Sequence, residues 1–171
     1  MSGRFALRRT LRHLWASPLQ VRRALPPAAL AQIEAAIAEG ERQHEAELRF
    51  AVEAALDLRA LWRGLSPRGR AHQLFSRYRI WDTEHNNGVL IYLLWADRAV
   101  EIVADRGAVK RVDPGVWRDA CDRIVAHRRE GRTVEGVLEA IAQLNRALAV
   151  AYPANLSTSN PDELSNRPLV L

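Results

Sequence analysis

The chain has 171 residues, of which 48% are hydrophobic and 26% charged, with a net charge of +5, and this composition is typical of a single globular domain. No window approaches the ~20 apolar residues of a membrane-spanning helix, and the N-terminus lacks the apolar core of a secretory signal. The single cysteine, Cys121, excludes an internal disulfide and agrees with a reducing compartment. We therefore expect a cytoplasmic protein, free or peripheral at the inner membrane, with no signal peptide or transmembrane helix.

The positive charge is concentrated at the start of the chain. Six of the 25 basic residues lie within residues 1–23, where no acidic residue occurs, so residues 24–171 carry a net charge of −1. The high isoelectric point is therefore a property of the N-terminal arm, residues 1–24. Because no basic face continues beyond this arm, the sequence argues against nucleic acid as a partner.

Within the arm, apolar residues recur at the spacing of one helical face. Leu7, Leu11, Leu14 and Trp15 fall at i, i+4, i+7 and i+8, which predicts an amphipathic helix that ends before Pro18. Its leucines could pack on the protein's own core. Alternatively, the helix could contact an anionic membrane surface or a membrane protein. The residues that would make this second contact are Arg4, Arg8, Arg9, Arg12 and Trp15.

The next elements alternate between helix and strand. A proline pair at Pro26 predicts the start of a second helix, and residues 47–53 alternate in hydrophobicity as a strand does. Residues 56–64 show no period and predict an irregular loop, with Trp62 tucked into the core. Ser66, followed by a proline, predicts the start of another helix.

A central strand and hairpin follow. The uninterrupted apolar run Val89–Trp95 predicts a strand buried on both faces. A three-residue connection joins it to a second strand at residues 99–104, so the pair must be antiparallel. Helices are then predicted to begin near Asp113 and Thr133. The remainder, residues 154–171, reads as a flexible tail.

This order of elements predicts an α/β (α+β) sandwich. The expected architecture is a single mixed β-sheet with a central β-hairpin, flanked by helices on both faces. We expect residues 25–153 to form this one domain.

A dense polar loop precedes the central strand. A polar cluster at the mouth of such a strand is a common place for a site in α/β proteins. Asp82, Glu84 and His85, joined by Asp105 from the far end of the hairpin, would offer the oxygen-rich ligands that suit Ca²⁺ or Mg²⁺. The neighbouring residues that would complete such a ligand loop are Asn86, Asn87, Gly88, Arg106 and Gly107.

Turn chemistry is the alternative interpretation of the same loop. Asp82 or Thr83 can cap local turns, and Asn87-Gly88 suits a positive φ at a strand entry. The sequence contains no Ser/His/Asp grouping, phosphate-cradling glycine loop or Cys/His pair. We therefore expect a non-enzymatic module that binds a partner protein or a membrane surface. The competing hypothesis is a metal-dependent hydrolase that uses the four candidate ligands.

Two segments of the hairpin resemble the TPM-domain family. These are WDTEHNNGVLIY at residues 81–92 and VEIVADRG at residues 100–107, and the resemblance extends over residues 25–153. It is greatest to a bacterial branch whose members are often membrane-associated. The family implies a central sheet between helices. Its members include a thylakoid protein with acid phosphatase activity, bacterial envelope proteins, a channel auxiliary subunit and some calcium binders. Phosphatase-type members carry a Gly-x-Gly-Leu-Glu-like stretch where this chain has Ala104-Asp105-Arg106-Gly107.

Overall fold

Four strands and eight helices make up the part of the chain that the structure describes. The computed structural model describes residues 2–154 and 164–171, with the side chains of residues 2–6 left aside. The helices are α1 (Ser2–Trp15), α2 (Pro18–Ala24), α3 (Pro27–Glu41), α4 (Leu58–Trp62), α5 (Pro67–Arg77), α6 (Arg106–Arg111), α7 (Pro114–Arg129) and α8 (Thr133–Ala151). The strands are β1 (Leu48–Glu53), β2 (Val89–Leu94), β3 (Ala99–Ala104) and β4 (Leu169–Val170).

The strands form one mixed sheet in the order β3-β2-β1-β4. Strand β1 runs parallel to β2, with Leu48 opposite Val89, and also parallel to β4. Strands β2 and β3 are antiparallel, with Val89 opposite Ala104. The predicted hairpin is therefore confirmed. The carboxyl ends of β1 and β2, at Glu53 and Leu94, lie at the same edge of the sheet.

Helices cover both faces of this sheet, as predicted. Every residue of β1 and β2 is buried. On one face, Phe50 and Ile91 belong to a core that includes residues of α3, α7 and α8. On the other face, Leu90 and Tyr92 pack with Leu74 and its neighbours in α5. Strand β1 thus lacks the half-exposed character that its alternating pattern suggests, because β1 lies inside the sheet.

Two short helices occupy segments for which the sequence predicted no helix, and the first of them lies in the expected loop of residues 56–64. Helix α4 begins after Asp57, whose carboxylate accepts a hydrogen bond from the Ala60 amide at 2.7 Å. Helix α6 begins after Asp105. The predicted burial of Trp62 is wrong, since its side chain is 81% exposed. Leu56 is the buried residue of this segment, so the indole is left outside.

The end of the chain returns to the sheet. Leu169 and Val170 pair with β1, and the Leu171 amide donates to the Val52 carbonyl at 2.9 Å. The predicted flexible tail is therefore corrected for residues 164–171. Residues 155–163 of that tail lie outside the described residues.

None of the helices in the described residues combines the length and apolar character needed to cross a membrane.

Candidate functional site

The predicted polar loop and Asp105 do meet in the structure. The Asp105 amide donates to the Gly88 carbonyl at 2.9 Å, and the Gly107 amide donates to the Asn86 carbonyl at 3.1 Å. This meeting point lies at the start of β2 and the end of β3. It is therefore the edge opposite the carboxyl ends of the parallel strands β1 and β2.

Local hydrogen bonds use much of the loop's polar chemistry. The Thr83 hydroxyl accepts from the Asn87 amide at 3.1 Å, and the buried Asn87 carboxamide donates to the Glu45 carbonyl at 2.7 Å. His85 Nε2 lies 3.3 Å from a carboxylate oxygen of Glu45. Asn86, rather than Asn87 or Gly88, adopts the positive φ, at 52°. The turn interpretation therefore accounts for most of this loop.

The predicted set of metal ligands is not brought together. Asp82 and Glu84 have exposed side chains, and the Asp105 carboxylate accepts from the Arg106 amide at 2.6 Å as the cap of α6. In residues 2–154 and 164–171, no three His, Cys, Asp or Glu side chains form a group that could hold a metal ion. A Ca²⁺ or Mg²⁺ site at His85 and its neighbours therefore stays a prediction. The Asp105 carboxylate serves as the cap of a helix that lies on a separate segment from Asp82 and Glu84.

Two glycines of the predicted ligand loop are explained by close backbone packing. A Cβ at Gly88 would lie 1.8 Å from the carbonyl oxygen of Ile80. A Cβ at Gly107 would lie 2.5 Å from the carbonyl oxygen of Asn86. Arg106, which directly precedes Gly107, is exposed. Glycine at these two positions therefore permits close contact between backbone segments.

At the carboxyl edge of the parallel strands, a part-buried ion pair lies at the end of β1. The two nitrogens Nε and Nη2 of Arg70 donate to the Glu53 carboxylate at 2.9 and 2.8 Å, and the Tyr92 hydroxyl donates to it at 2.7 Å. The hydrogen bond to Glu53 raises the pKa of Arg70, and burial raises that of Tyr92. The network is satisfied within the protein, so it holds strands β1 and β2 to α5.

The N-terminal helix α1 docks at this same edge, through polar residues. Arg9 donates to the Asp97 carboxylate from Nε at 2.9 Å and from Nη2 at 2.8 Å. Arg9 Nη2 also donates to the Leu65 carbonyl at 2.7 Å. The Arg12 guanidinium lies 3.6 Å from the Asp97 carboxylate. Arg9 is one of the residues predicted to contact an outside partner. In the structure its guanidinium pairs with Asp97 of the same chain.

His13 is the other residue that holds α1 against the body, and its ring is neutral. We call the contacts of Arg9 and His13 with the body the dock. Its Nδ1 accepts from the Leu56 amide at 2.9 Å, and its Nε2 lies 3.1 Å from the Asp97 carboxylate. Because Nδ1 is an acceptor, the proton of the neutral ring belongs on Nε2, facing Asp97. Burial lowers the pKa of His13 by more than Asp97 raises it. Burial alone would raise the pKa of Asp97, but the hydrogen bonds from Arg9 and His13 bring it below its ordinary value.

The apolar face of α1 points away from the body. Leu7 and Leu14 are each 62% exposed, Trp15 is 81% exposed, and Leu11 and Leu19 are also exposed. The interpretation in which the leucines pack on the core is therefore wrong. The docking contacts go to Arg9 and His13, which lie on the polar side of the same helix. We call the exposed set Leu7, Leu11, Leu14 and Trp15 the arm stripe.

Basic side chains accompany the arm stripe. Arg8 is exposed, and Arg12 keeps about half of its side-chain area exposed despite its contact with Asp97. The side chain of Arg4 lies outside the described residues. Sequence reasoning identified these arginines and Trp15 but missed Asp97 and His13. Asp97 is separated from Arg9 by 88 positions, and nothing local in the sequence marks the pair.

A family profile for the TPM domain matches residues 21–147. The match begins within α2 and leaves out α1 and its stripe. No curated protein matches the chain.

Solved structures share the fold. The BA42 protein from the psychrophilic bacterium Bizionia argentinensis is similar with a TM-score of 0.74 and 24% identity, over 84% of this chain and 93% of that one. An N-terminal domain of a protein from P. gingivalis is similar with a TM-score of 0.59 and 17% identity, over 82% and 94% of the two chains. At these identities the likeness concerns the fold.

Proposed function

The chain belongs to the TPM domain family, and we propose that it is a non-enzymatic binding module that attaches to anionic membrane surfaces through α1. The observation that carries the proposal is the orientation of this helix. Its polar residues Arg9 and His13 face the body, and its arm stripe faces outward. The stripe also lies outside the residues that match the family, so it can add a property to a common fold.

The apolar contacts supply one part of the binding. Full burial of a leucine is worth about 1.5–3 kcal/mol relative to leaving it in water. Three leucines and Trp15 on one face of α1 therefore have a large gain available from the boundary between headgroups and acyl chains. A tryptophan is also the residue type that is favoured at this depth.

Charge selects the kind of surface. Residues 1–23 contain six arginines and no acid. Each arginine near an anionic leaflet contributes about 1 kcal/mol, and the contribution falls with ionic strength. Arg8 and the exposed half of Arg12 lie beside the stripe. A lipid surface with negative headgroups matches both the apolar and the cationic side chains, which a purely apolar protein groove would not.

Sedimentation with vesicles tests the proposal. We expect binding to vesicles of phosphatidylcholine with phosphatidylglycerol, and little binding to phosphatidylcholine alone. Leu14→Ser combined with Trp15→Ser should weaken binding by at least about tenfold. Arg8→Gln should weaken it by about fivefold or less. Val150→Ser is the matched control, because Val150 is 86% exposed on α8 and lies outside the stripe.

Two results would contradict the proposal. One is equal binding to neutral and anionic vesicles. The other is a dimer or complex that forms without vesicles and is lost in the Leu14→Ser, Trp15→Ser variant. That result would assign the stripe to a protein partner. The metal-dependent hydrolase alternative depends on a convergence of Asp82, Glu84, His85 and Asp105 that the described residues do not provide.

A further inference from the structure

A cleft of about 710 Å³ opens beside the hairpin turn. Its walls come from α2, from the turn after β2, and from the junction between α7 and α8. Three arginines line it, namely Arg98, Arg128 and Arg129, and the described lining contains no acidic residue. The cleft is therefore strongly cationic.

Arg128 is fixed at the centre of this charge. Its Nη2 donates to the Trp95 carbonyl at 2.8 Å, and its guanidinium carbon lies 4.0 Å from the centre of the Trp95 ring. Burial, with a smaller contribution from the charge of Arg98, lowers the pKa of Arg128 to about 10. Among the described residues, no carboxylate pairs with Arg128.

Two other part-buried arginines are neutralised by carboxylates within the fold. Arg70 is paired with Glu53, and Arg9 is paired with Asp97. A desolvated cation without a counter-ion is unfavourable, and a bound anion removes that penalty. Among the described residues Arg128 thus differs from these two arginines, and a bound anion would supply the counter-ion.

The start of α8 also borders the cleft. Gly131 and Thr133 lie in the wall, and α8 is a 19-residue helix that begins at Thr133. Its cap residue, Arg132, makes no side-chain capping hydrogen bond. Backbone amides at a helix start favour an oxyanion, and guanidinium forks match the oxygens of phosphate.

We propose that this cleft binds a phosphate group, carried either by a lipid headgroup or by a small soluble phosphate ester. Its volume exceeds that of phosphate alone and leaves room for an attached organic group. A smaller space of about 200 Å³ adjoins it and shares Trp95, Arg98 and Arg128 with the cleft, while Arg12 and Trp15 of α1 line its other side. The proposal goes beyond membrane attachment by the arm stripe, since phosphate can enter the cleft whether or not α1 meets a bilayer.

The test begins with soluble probes on the full chain. Inorganic phosphate and glycerol 3-phosphate are titrated while the indole NH signal of Trp95 is followed by NMR, with sodium chloride at equal ionic strength as the reference. We expect a saturable shift. Arg98→Asn combined with Arg129→Gln should weaken the apparent affinity by at least about tenfold. Both side chains are exposed, and Asn tolerates the φ of 53° at position 98. Arg146→Gln is the control, because it lies about 20 Å along α8 from Thr133.

Vesicles then separate the two sources of phosphate. If the ligand is a lipid, the soluble probes leave Trp95 unchanged, and phosphatidic acid vesicles bind more tightly than phosphatidylglycerol vesicles. The Arg98→Asn, Arg129→Gln variant should lose that preference. A response to no probe, or an equal response in the variant, overturns the cleft proposal. Retained stripe-dependent binding to phosphatidylglycerol vesicles would then leave the proposed function standing.

Discussion

The two edges of the sheet use polar residues in opposite ways. At the amino end of β2, residues 82–87 are polar and contiguous in sequence, and much of their bonding serves the turns and caps there. At the carboxyl end of β1 and β2, charged residues that are far apart in sequence converge. Arg9 meets Asp97, and Arg98 shares a cleft with Arg128.

The difference shows that a dense run of polar residues in the sequence is not the same as polar side chains from separate elements that meet in space. A run of polar residues in the sequence is what a tight connection needs, because its backbone amides and carbonyls must find partners. A binding surface instead gathers side chains from several elements at one place. In this protein the carboxyl edge meets that second condition, in keeping with the usual position of sites in sheets with parallel strands.

The largest expected effect tests whether the amino edge is structural. Gly88→Ala should lower the free energy of unfolding by more than about 4 kcal/mol, because its Cβ would lie 1.8 Å from the backbone oxygen of Ile80. Urea denaturation measures it. Gly69→Ala, whose Cβ would meet side-chain atoms at 3.1 and 3.2 Å, should stay within about 1 kcal/mol of the wild type. Equal stability of the two variants would break the comparison.

The second prediction, of intermediate size, compares how much one carboxylate from each edge contributes to the free energy of unfolding. Asp97→Ala should destabilise the chain by about 3 kcal/mol, because it leaves Arg9 unpaired and nearly buried beside His13. Asp105→Ala removes a helix cap and should cost about 1 kcal/mol. Denaturation gives the two values, and amide exchange in α1 should rise for the Asp97 variant alone. Unchanged exchange in α1 would show that the dock does not depend on this ion pair.

The smallest expected effect is a pH dependence of the dock. The folded pKa of His13 lies below its ordinary value of 6.5, so the undocked histidine takes up a proton first as the pH falls. The docked state should therefore lose stability as the pH falls through the ordinary pKa of 6.5, since protonation of Nδ1 breaks the bond from the Leu56 amide.

Amide exchange in α1, corrected for its intrinsic pH dependence, measures this loss against α8 as the reference. His13→Asn keeps a hydrogen-bond acceptor but does not titrate in this range, so its exchange in α1 should not change with pH. Protection of α1 that grows on acidification would reverse the sign and exclude the neutral His13.

Most of the fold could be predicted from periodicity. The apolar run of β2, its hairpin with β3 and the stripes of α5, α7 and α8 are long enough for the hydrophobic pattern to identify them. Helices α4 and α6 have five and six residues, and a single capping aspartate starts each of them. Such short helices show no periodicity, although the caps Asp57 and Asp105 were visible signals.

Less of the site could be predicted. The arm stripe and its arginines were found, since they share one helix. Its orientation was not, because it depends on Asp97, which lies 88 positions from Arg9. The predicted metal site combines three neighbours in sequence with Asp105 from the far end of the hairpin, and it stays a prediction because coordination depends on where the side-chain oxygens lie in space. The cleft combines Trp95 with Arg128, and their spacing carries no sequence signature.

The ion pair between Arg9 and Asp97 also bears on how the proposed attachment to a membrane would begin. Many amphipathic segments fold only as they reach a bilayer, and ordering each backbone residue opposes that binding by roughly 1–2 kcal/mol. Here α1 is already helical and is held by Arg9 and His13 before any surface is met. Attachment would then proceed as contact between two preformed surfaces, and its heat would contain little contribution from helix formation.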